Sequence, residues 1–377
     1  LKFSDITGVE YTKQTLINSV KNNHIAHAQL FLGKDGSANL ALALAYAQYI
    51  NCTAKTENDS CGTCPSCIKF SKLIHPDFHF IFPTSTTKKV TKSKEAISQS
   101  FMKEWRSFIP DNPYPVLSDW AGFFGAENKQ CNISKEESRN IIRSLSLKAF
   151  EAEYKVMLIW LPEFMHPAAA NAILKILEEP PAKTLFFLVS NDADKLLTTI
   201  LSRTQIIQVP QFTDQEISNI LQEEYQVEEE RAKHIAYLAE GNLNEAVKLS
   251  DEVKNISADF FKQWMRICFK NDFTNMLKFA DDFQKMGKED QKSLFQYSLN
   301  IFRESLLWKF ADPELVRLEN EELEFVKNFS KVLNENNLEM MVNKLNQSLF
   351  HIERNANPKI LFTNLSIFLG KLFRIGA

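Results

Sequence analysis

The chain has 377 residues, and its 44 basic against 47 acidic side chains leave a net charge of -3, which argues against a protein whose main task is to coat nucleic acid with basic surface. Its length exceeds the size at which one hydrophobic core stops growing, so two or three domains are expected. Apolar residues at 44% and charged residues at 24% are typical of soluble globular protein, and no apolar run reaches the ~18 residues that a membrane span needs.

The opening stretch LKFSDITG shows neither a charged head with a following apolar segment nor a small-residue cleavage site, so a cytoplasmic location is expected. Ten glycines against 30 phenylalanines suggest mostly helical packing. Six cysteines without an export signal read as metal ligands or buried apolar residues rather than disulfide partners.

In chain order, the first strand-like run is LFLG (30–33), followed by Gly33, Gly36 and an Ala- and Leu-rich segment. That is the strand, loop and helix order of a phosphate cradle, yet no lysine follows the second glycine. Next, Cys52, Cys61, Cys64 and Cys67 follow the spacing C-x8-C-x2-C-x2-C, with Gly62 and Pro65 permitting tight turns between them. Four thiolates that converge with no open coordination position suit a structural zinc ion, which would pin a loop too polar to pack by itself. A redox pair, since two Cys-x-x-Cys steps are present, and simple free thiols are the competing readings. Cys131 and Cys268 stand alone and read as buried, and His27, His75 and His79 as ordinary polar residues, because four cysteines already complete a shell.

Further strand-like runs are FHFIF (78–82), VMLIWL (156–161), LFFLVS (185–190) and TQIIQV (204–209), with helical stretches between several of them. Short apolar strands alternating with helices predict an α/β domain with a parallel sheet over 1–210. Residues 84–120 interrupt the rhythm with Ser, Thr, Lys and prolines. This insertion, set at about 84–130, reads as a solvated and partly helical surface excursion, whose basic half is an alternative nucleic-acid contact. Pro167 suits a helix start, and Pro180 and Pro181 stop that helix. Beyond Pro210 the pattern turns helical. Thr213 and Glu216 have capping-box spacing at the head of a small helical module over 211–250. From 251 to 377 the chain reads as a third, all-helical domain, with Leu338, Met341, Leu345 and Leu349 spaced to share one face.

The zinc spacing placed just after a degenerate phosphate loop resembles the bacterial clamp-loader subunits, AAA+ relatives that open the sliding clamp for DNA polymerase III. His27-Ala28, ISKEESRNIIRSL (133–145), YKVMLIW (154–160), NAILKILEEPP (171–181) and KLLTTILSRTQ (195–205) follow in the family's order, and the likeness covers roughly 1–250. The helical end resembles the family's oligomerising collar more loosely, chiefly through NANPK (355–359), and the insertion lies outside the pattern. The resemblance implies an α/β AAA+ domain with a zinc module at 52–67, a helical lid and a helical collar. It also implies gamma or tau ATPase subunits and a delta subunit as partners, with the sliding clamp and primer-template DNA contacted indirectly.

The family contains hydrolysing gamma or tau subunits and delta prime subunits, which commonly do not hydrolyse ATP, and the residues discriminate. In the family frame Gly33 and Gly36 are in place, but Ala38 stands where the last glycine belongs, Asn39 at the lysine and Leu40 at the magnesium-binding hydroxyl. Charge-assisted bonds contribute about 1.5 to 3 kcal/mol each, so these losses remove on the order of a hundredfold to ten-thousandfold in affinity, and tight ATP binding is not expected. Trp160 and Leu161 replace the acidic pair after the strand, and Glu163, two residues further along, is expected to lie away from the strand tip. Asn242 and Asn244 carry no charge where a sensor arginine is common, and the phosphate-sensing position at Ser190 and Asn191 is expected to be vacant. Ser202-Arg203 matches the family's Ser-Arg-Cys motif, with Thr204 in place of the cysteine and Thr198 in place of an upstream proline. The resemblance makes Arg203 a finger donated to a neighbour's nucleotide site; a local salt bridge at a helix end is the plain alternative. The expected function is a delta prime-like subunit. Its rivals are an active gamma- or tau-like motor, a zinc-dependent DNA-binding adaptor outside the replisome, and a thiol oxidoreductase.

Overall fold

A computed structural model of the chain describes residues 1–127, 129–146, 149–250, 255–311, 316, 318, 320–354 and 356–375. Asp251, the expected start of the third domain, and Asn355, the first residue of NANPK, lie outside the described residues. The described residues form two compact units, the first comprising 1–224 with 239–247 and the second comprising 225–238 with the residues from 248 onward.

The first unit is built on five parallel strands: β1 (Ala28–Leu32), β2 (Phe78–Ile81), β3 (Lys155–Trp160), β4 (Thr184–Ser190) and β5 (Gln205–Gln208), in the order β2-β3-β4-β1-β5. Every strand-like run in the sequence is one of these. The central strands β3 and β4 are buried at every position, which is why they read as unbroken apolar runs rather than alternating ones. Helices α1 (Glu10–Lys21), α2 (Asn39–Ile50), α3 (Pro65–Ser71), α4 (Met102–Phe108), α5 (Leu117–Phe123), α6 (Lys135–Ser146), α7 (Pro167–Glu178), α8 (Thr198–Leu201) and α9 (Asp214–Glu223) belong to this unit. Helix α2 is buried along its whole length, with Tyr46 stacked on Phe187 of β4 at 5.3 Å. On another side Ile141, Ile173 and Leu177 join Leu30, Met157 and Phe186 in one core cluster. Pro167 is the first residue of α7, and the capping box forms at α9, where Thr213 N donates to Glu216 at 2.7 Å and Glu216 N to Thr213 Oγ1 at 3.2 Å.

The insertion is partly helical, as expected, through α4 and α5, but its burial differs from the sequence reading. It is not a solvated excursion, because Trp105, Trp120, Phe101 and Phe108 are buried. Trp105 stacks on Phe82 at 4.2 Å and meets Trp120 edge-on at 5.1 Å. The aromatic spacing is irregular, so no periodic stripe announced this core; Lys88, Lys89, Lys92 and Lys94 do face solvent.

In the second unit α10 (Glu229–Leu238) accompanies α12 (Asn255–Lys270), α13 (Phe273–Lys285), α14 (Lys288–Phe310), α15 (Asn320–Ser330), α16 (Glu335–Glu353) and α17 (Pro358–Ile375); α11 (Leu243–Ser250) begins in the first unit. The second core is aromatic. Phe283 stacks on Phe362 at 4.4 Å and Trp264 on Phe362 at 4.6 Å, while Leu338, Met341 and Leu345 are fully buried on one face of α16. His234 of α10 meets Glu322 of α15 at 2.9 Å, and the Tyr297 hydroxyl donates to the same carboxylate at 2.7 Å. Among the described residues no helix is long and apolar enough to cross a membrane.

One buried carboxylate fixes how β3 enters the sheet. Asp77, at the head of β2, accepts from the N–H groups of Phe150, Glu151 and Ala152 at 2.6, 2.8 and 2.8 Å. Burial alone would push its carboxyl up, but those N–H groups outweigh burial and hold it below the usual carboxylate range. A depressed carboxylate contributes stability above its unfolded pKa and loses it as the pH falls through the folded value. Asp77→Ala is therefore expected to cost about 2 to 4 kcal/mol at neutral pH, and the gap to wild type should close as the pH drops below about 4; urea unfolding across pH checks both.

Candidate functional site

The loop between β1 and α2 places Gly33, Gly36, Asn39 and Leu40 at the carboxyl ends of β1 and β4. The Asn39 side chain, almost fully buried, turns inward rather than outward. Its Nδ2 donates to Gly33 O at 3.2 Å, Ser190 O at 3.3 Å and Asn191 Oδ1 at 2.9 Å, while its Oδ1 accepts from Leu40 N at 2.7 Å. A side chain that satisfies strand ends in this way has no donor left to reach a phosphate. Leu40 is fully buried and offers nothing to a metal.

Two features fill the loop from above. Gly36 has a φ of 70°, and a Cβ there would overlap the Asn242 side chain, so only glycine allows the approach. Leu243 N then donates to Gly36 O at 3.2 Å. Asn242, expected to be an idle sensor position, caps its own helix through Glu245 N at 3.0 Å. The Ser37 hydroxyl, beside Gly33, is buried with no hydrogen-bond partner. An open cleft of about 360 Å³ remains beside the loop, and its charged lining is Lys34, Asp192 and Asp194, two carboxylates to one ammonium. Asp192 is in turn paired with Lys195 at 2.9 Å.

Glu163 corrects the sequence reading. Leu161 adopts a left-handed conformation with a φ of 54°, and Pro162–Phe164 makes a 3-10 turn that brings the carboxylate back to the strand tips. Glu163 accepts from Ser190 Oγ and Asn191 N, both at 2.9 Å. Burial pushes its carboxyl up, against the opposing hydrogen bonds from Asn191 and Ser190. Asn191 in turn donates to Asp35 and accepts from Asn39. Ser190 and Asn191, expected to have a vacant role, thus hold the tips of β3 and β4 together. Pro162 starts that turn two residues past the end of β3, but nothing in the sequence marks the left-handed backbone at Leu161. Trp160, in the expected acid position, is buried at the end of β3 against Trp105 at 5.3 Å.

Arg203 follows α8, at whose end Ser202 caps the backbone. Its Nε donates to Glu178 at 2.7 Å, its Nη2 also reaches Glu178, and its Nη1 donates to Thr199 O at 2.9 Å and Ser202 Oγ at 3.3 Å. These partners lie on α7 and α8 rather than on the β1–α2 loop. The side chain keeps 31% exposure.

The cysteines do converge. Cys52 follows α2, Cys61 lies in the loop and Cys64 caps α3, which contains Cys67. Gly62, with a φ of 73°, makes the turn between Cys61 and Cys64. Sγ atoms of Cys52 and Cys61 lie 3.5 Å apart, those of Cys61 and Cys67 3.9 Å apart, and all four sulfurs fall within 4.8 Å of one another. Four sulfurs at about 2.3 Å from one zinc would form a tetrahedron with edges of about 3.8 Å, so the set has the size to hold a metal ion. The N–H groups of Cys61, Cys64 and Cys67 point at the sulfurs of Cys52, Cys61 and Cys64 at 3.3 to 3.4 Å. Burial opposes ionisation of Cys64, but bonds from Thr53 and the Cys67 backbone bring it down to about 5. Burial pushes Cys67 up. The Ser66 hydroxyl donates to Asn51 O at 2.8 Å, and Asn51 Oδ1 accepts from Tyr154 N at 3.0 Å, which ties the module to the strand β3 approach. Cys131 and Cys268 are buried, and neither they nor His27, His75 and His79 belong to the cluster, His75 packing on Phe70 of α3 at 4.4 Å.

A family profile described as "DNA polymerase III, delta subunit" matches residues 8–213, more than half of the chain. The chain is 24% identical to a DNA polymerase III subunit tau of Bacillus subtilis over 96% of its own length and 60% of that protein. It is 26% identical to the subunit delta' of the same organism over 62% of its length and 57% of that protein. It therefore spans about three fifths of the length of these curated relatives. A solved gamma subunit-related protein from Thermotoga maritima aligns at 15% identity and a TM-score of 0.40, over 96% of this chain and 100% of that one.

Because Asn39 bonds four groups of its own fold, Asn39→Ala is expected to destabilise the chain by about 1 to 3 kcal/mol. A side chain reserved for ligand would cost nothing on removal, so chemical unfolding of the variant without nucleotide distinguishes the two.

Proposed function

The chain belongs to the DNA polymerase III clamp-loader family, and within it we propose a delta prime-like subunit that does not hydrolyse ATP and assists a neighbour that does. The observation that carries the proposal is Asn39, which uses the lysine position to tie β1 to β4. Leu40 and Trp160 support it, since neither can hold magnesium and both are buried. Glu163 stays close to the site, but its carboxylate is spent on Ser190 and Asn191.

In this reading the subunit has an α/β AAA+ part at 1–210, a lid at 211–250 and a collar from 251 to 377. It closes one end of a cytoplasmic hetero-pentamer with gamma or tau ATPase subunits and a delta subunit. Arg203 serves as an arginine finger in trans, with Ser202 holding its orientation. Its present partner is the half-exposed Glu178. Exposed ion pairs contribute only about 0 to 1 kcal/mol, so trading Glu178 for a neighbour's phosphate costs little. The active-motor reading draws support from the likeness to tau, but it requires a lysine where Asn39 stands and an acid where Trp160 stands.

Zinc is the ion we assign to Cys52, Cys61, Cys64 and Cys67, because four thiolates with no open position suit a closed tetrahedral site. Such an ion supplies cross-linking rather than chemistry, and the four cysteines join the end of α2 to the start of α3.

Reconstitution with gamma or tau and delta subunits tests the role in trans. Arg203→Ala is expected to lower clamp-dependent turnover at the adjoining site by about 10³-fold or more, and equal turnover for variant and wild type would remove the role. For the metal, purified chain should carry one zinc per polypeptide, and Cys64→Ser should lose it together with thermal stability, as elemental analysis and thermal unfolding would show.

A further inference from the structure

The insertion starts and ends at one point. Thr84 and Asn132 pair as an antiparallel bridge, each N–H donating to the other's carbonyl at 2.9 and 3.0 Å. Between these feet, Trp120 Nε1 donates to Pro83 O at 2.9 Å, and Trp105 lies against Trp160 at 5.3 Å. The insertion is therefore anchored to the residue that replaced the acid after β3. From this anchor it reaches Phe212 and the 239–247 segment of the same unit. The Tyr114 ring meets Phe212 edge-on at 5.5 Å, and Asn244 Nδ2 donates to Asp119 Oδ2 at 2.8 Å. Asn244 is two residues from Asn242, which covers Gly36, and Leu243 is bonded to Gly36 O.

We propose that the insertion is a strap that holds the 239–247 segment down on the β1–α2 loop, with Trp160 as its anchor and Tyr114 and Asp119 as its positioning contacts. Any ligand seated over Gly36 would have to lift Asn242, and the strap opposes that movement directly through the Asp119–Asn244 hydrogen bond and indirectly through Tyr114, which packs on Phe212, whose carbonyl a Cβ at Gly241 would overlap. The loop is thus closed in two independent ways. Its own chemistry offers no cation at Asn39, and the segment above it is fastened from a third direction. Trp160 belongs to the second, since it supplies the surface on which Trp105 packs. An acid restored at position 160 would loosen the strap without making a motor.

The strap does not depend on the role of Arg203, and its test uses the isolated full chain. Hydrogen exchange is compared for wild type and Tyr114→Ala/Asp119→Ala. The amides of Leu243, Glu245 and Ala246 are expected to exchange faster by about tenfold or more, while those of β1, β3 and β4 stay as in wild type. Asp119→Asn keeps an acceptor for Asn244 and is expected to remain within about twofold of wild type. Unchanged protection of the 239–247 segment in the double variant would overturn the strap. So would Asp119→Asn loosening the segment as much as the double variant does.

Discussion

Much of this molecule follows from what one buried amide does at the carboxyl ends of β1 and β4. In a parallel sheet those strand ends leave carbonyls that need donors, and a crevice there is the natural seat of a phosphate. Asn39 supplies the donors from within the chain. Once it does, the carbonyls of Gly33 and Ser190 have a donor from within the chain. Leu40 can be apolar, Trp160 can be a packing surface, and Glu163 can turn back to brace Ser190 and Asn191.

The same substitution of packing for chemistry links the insertion to the rest of the unit. An aspartate at the end of β3 would sit beside Trp105 with its charge desolvated, an expensive arrangement without a metal ion. Tryptophan instead extends the aromatic cluster of Phe82, Trp105 and Trp120. The cysteine module acts at the opposite end of α2, where polar residues 53–60 could not form a core unaided. Thus α2 is held at its start by Asn39 and at its end by a sulfur cluster, and its buried length keeps the two in register.

Much of this was legible in the sequence because it depended on local pattern. Five apolar runs gave five strands, the Thr213 and Glu216 spacing gave a capping box, and the cysteine spacing brought four sulfurs together. What escaped depended on contacts between distant residues or on a single backbone angle. The left-handed Leu161 returns Glu163 to the strand tips, a reversal that no propensity encodes. Trp105 and Trp120 have no periodic spacing and lie in a segment that looked polar, so their cluster with Trp160 of β3 was hidden. The pairing of Arg203 with Glu178 was open as an alternative, but its partner lies 25 residues upstream on another helix.

The family relationship places the chain among proteins of DNA polymerase III, and the proposed role rests on its separation from those that turn over nucleotide. Calorimetric titration of the purified chain with magnesium ATP tests that separation most directly. The account predicts no saturable heat at micromolar nucleotide, with any residual affinity near the millimolar range. A micromolar dissociation constant accompanied by steady phosphate release would contradict it.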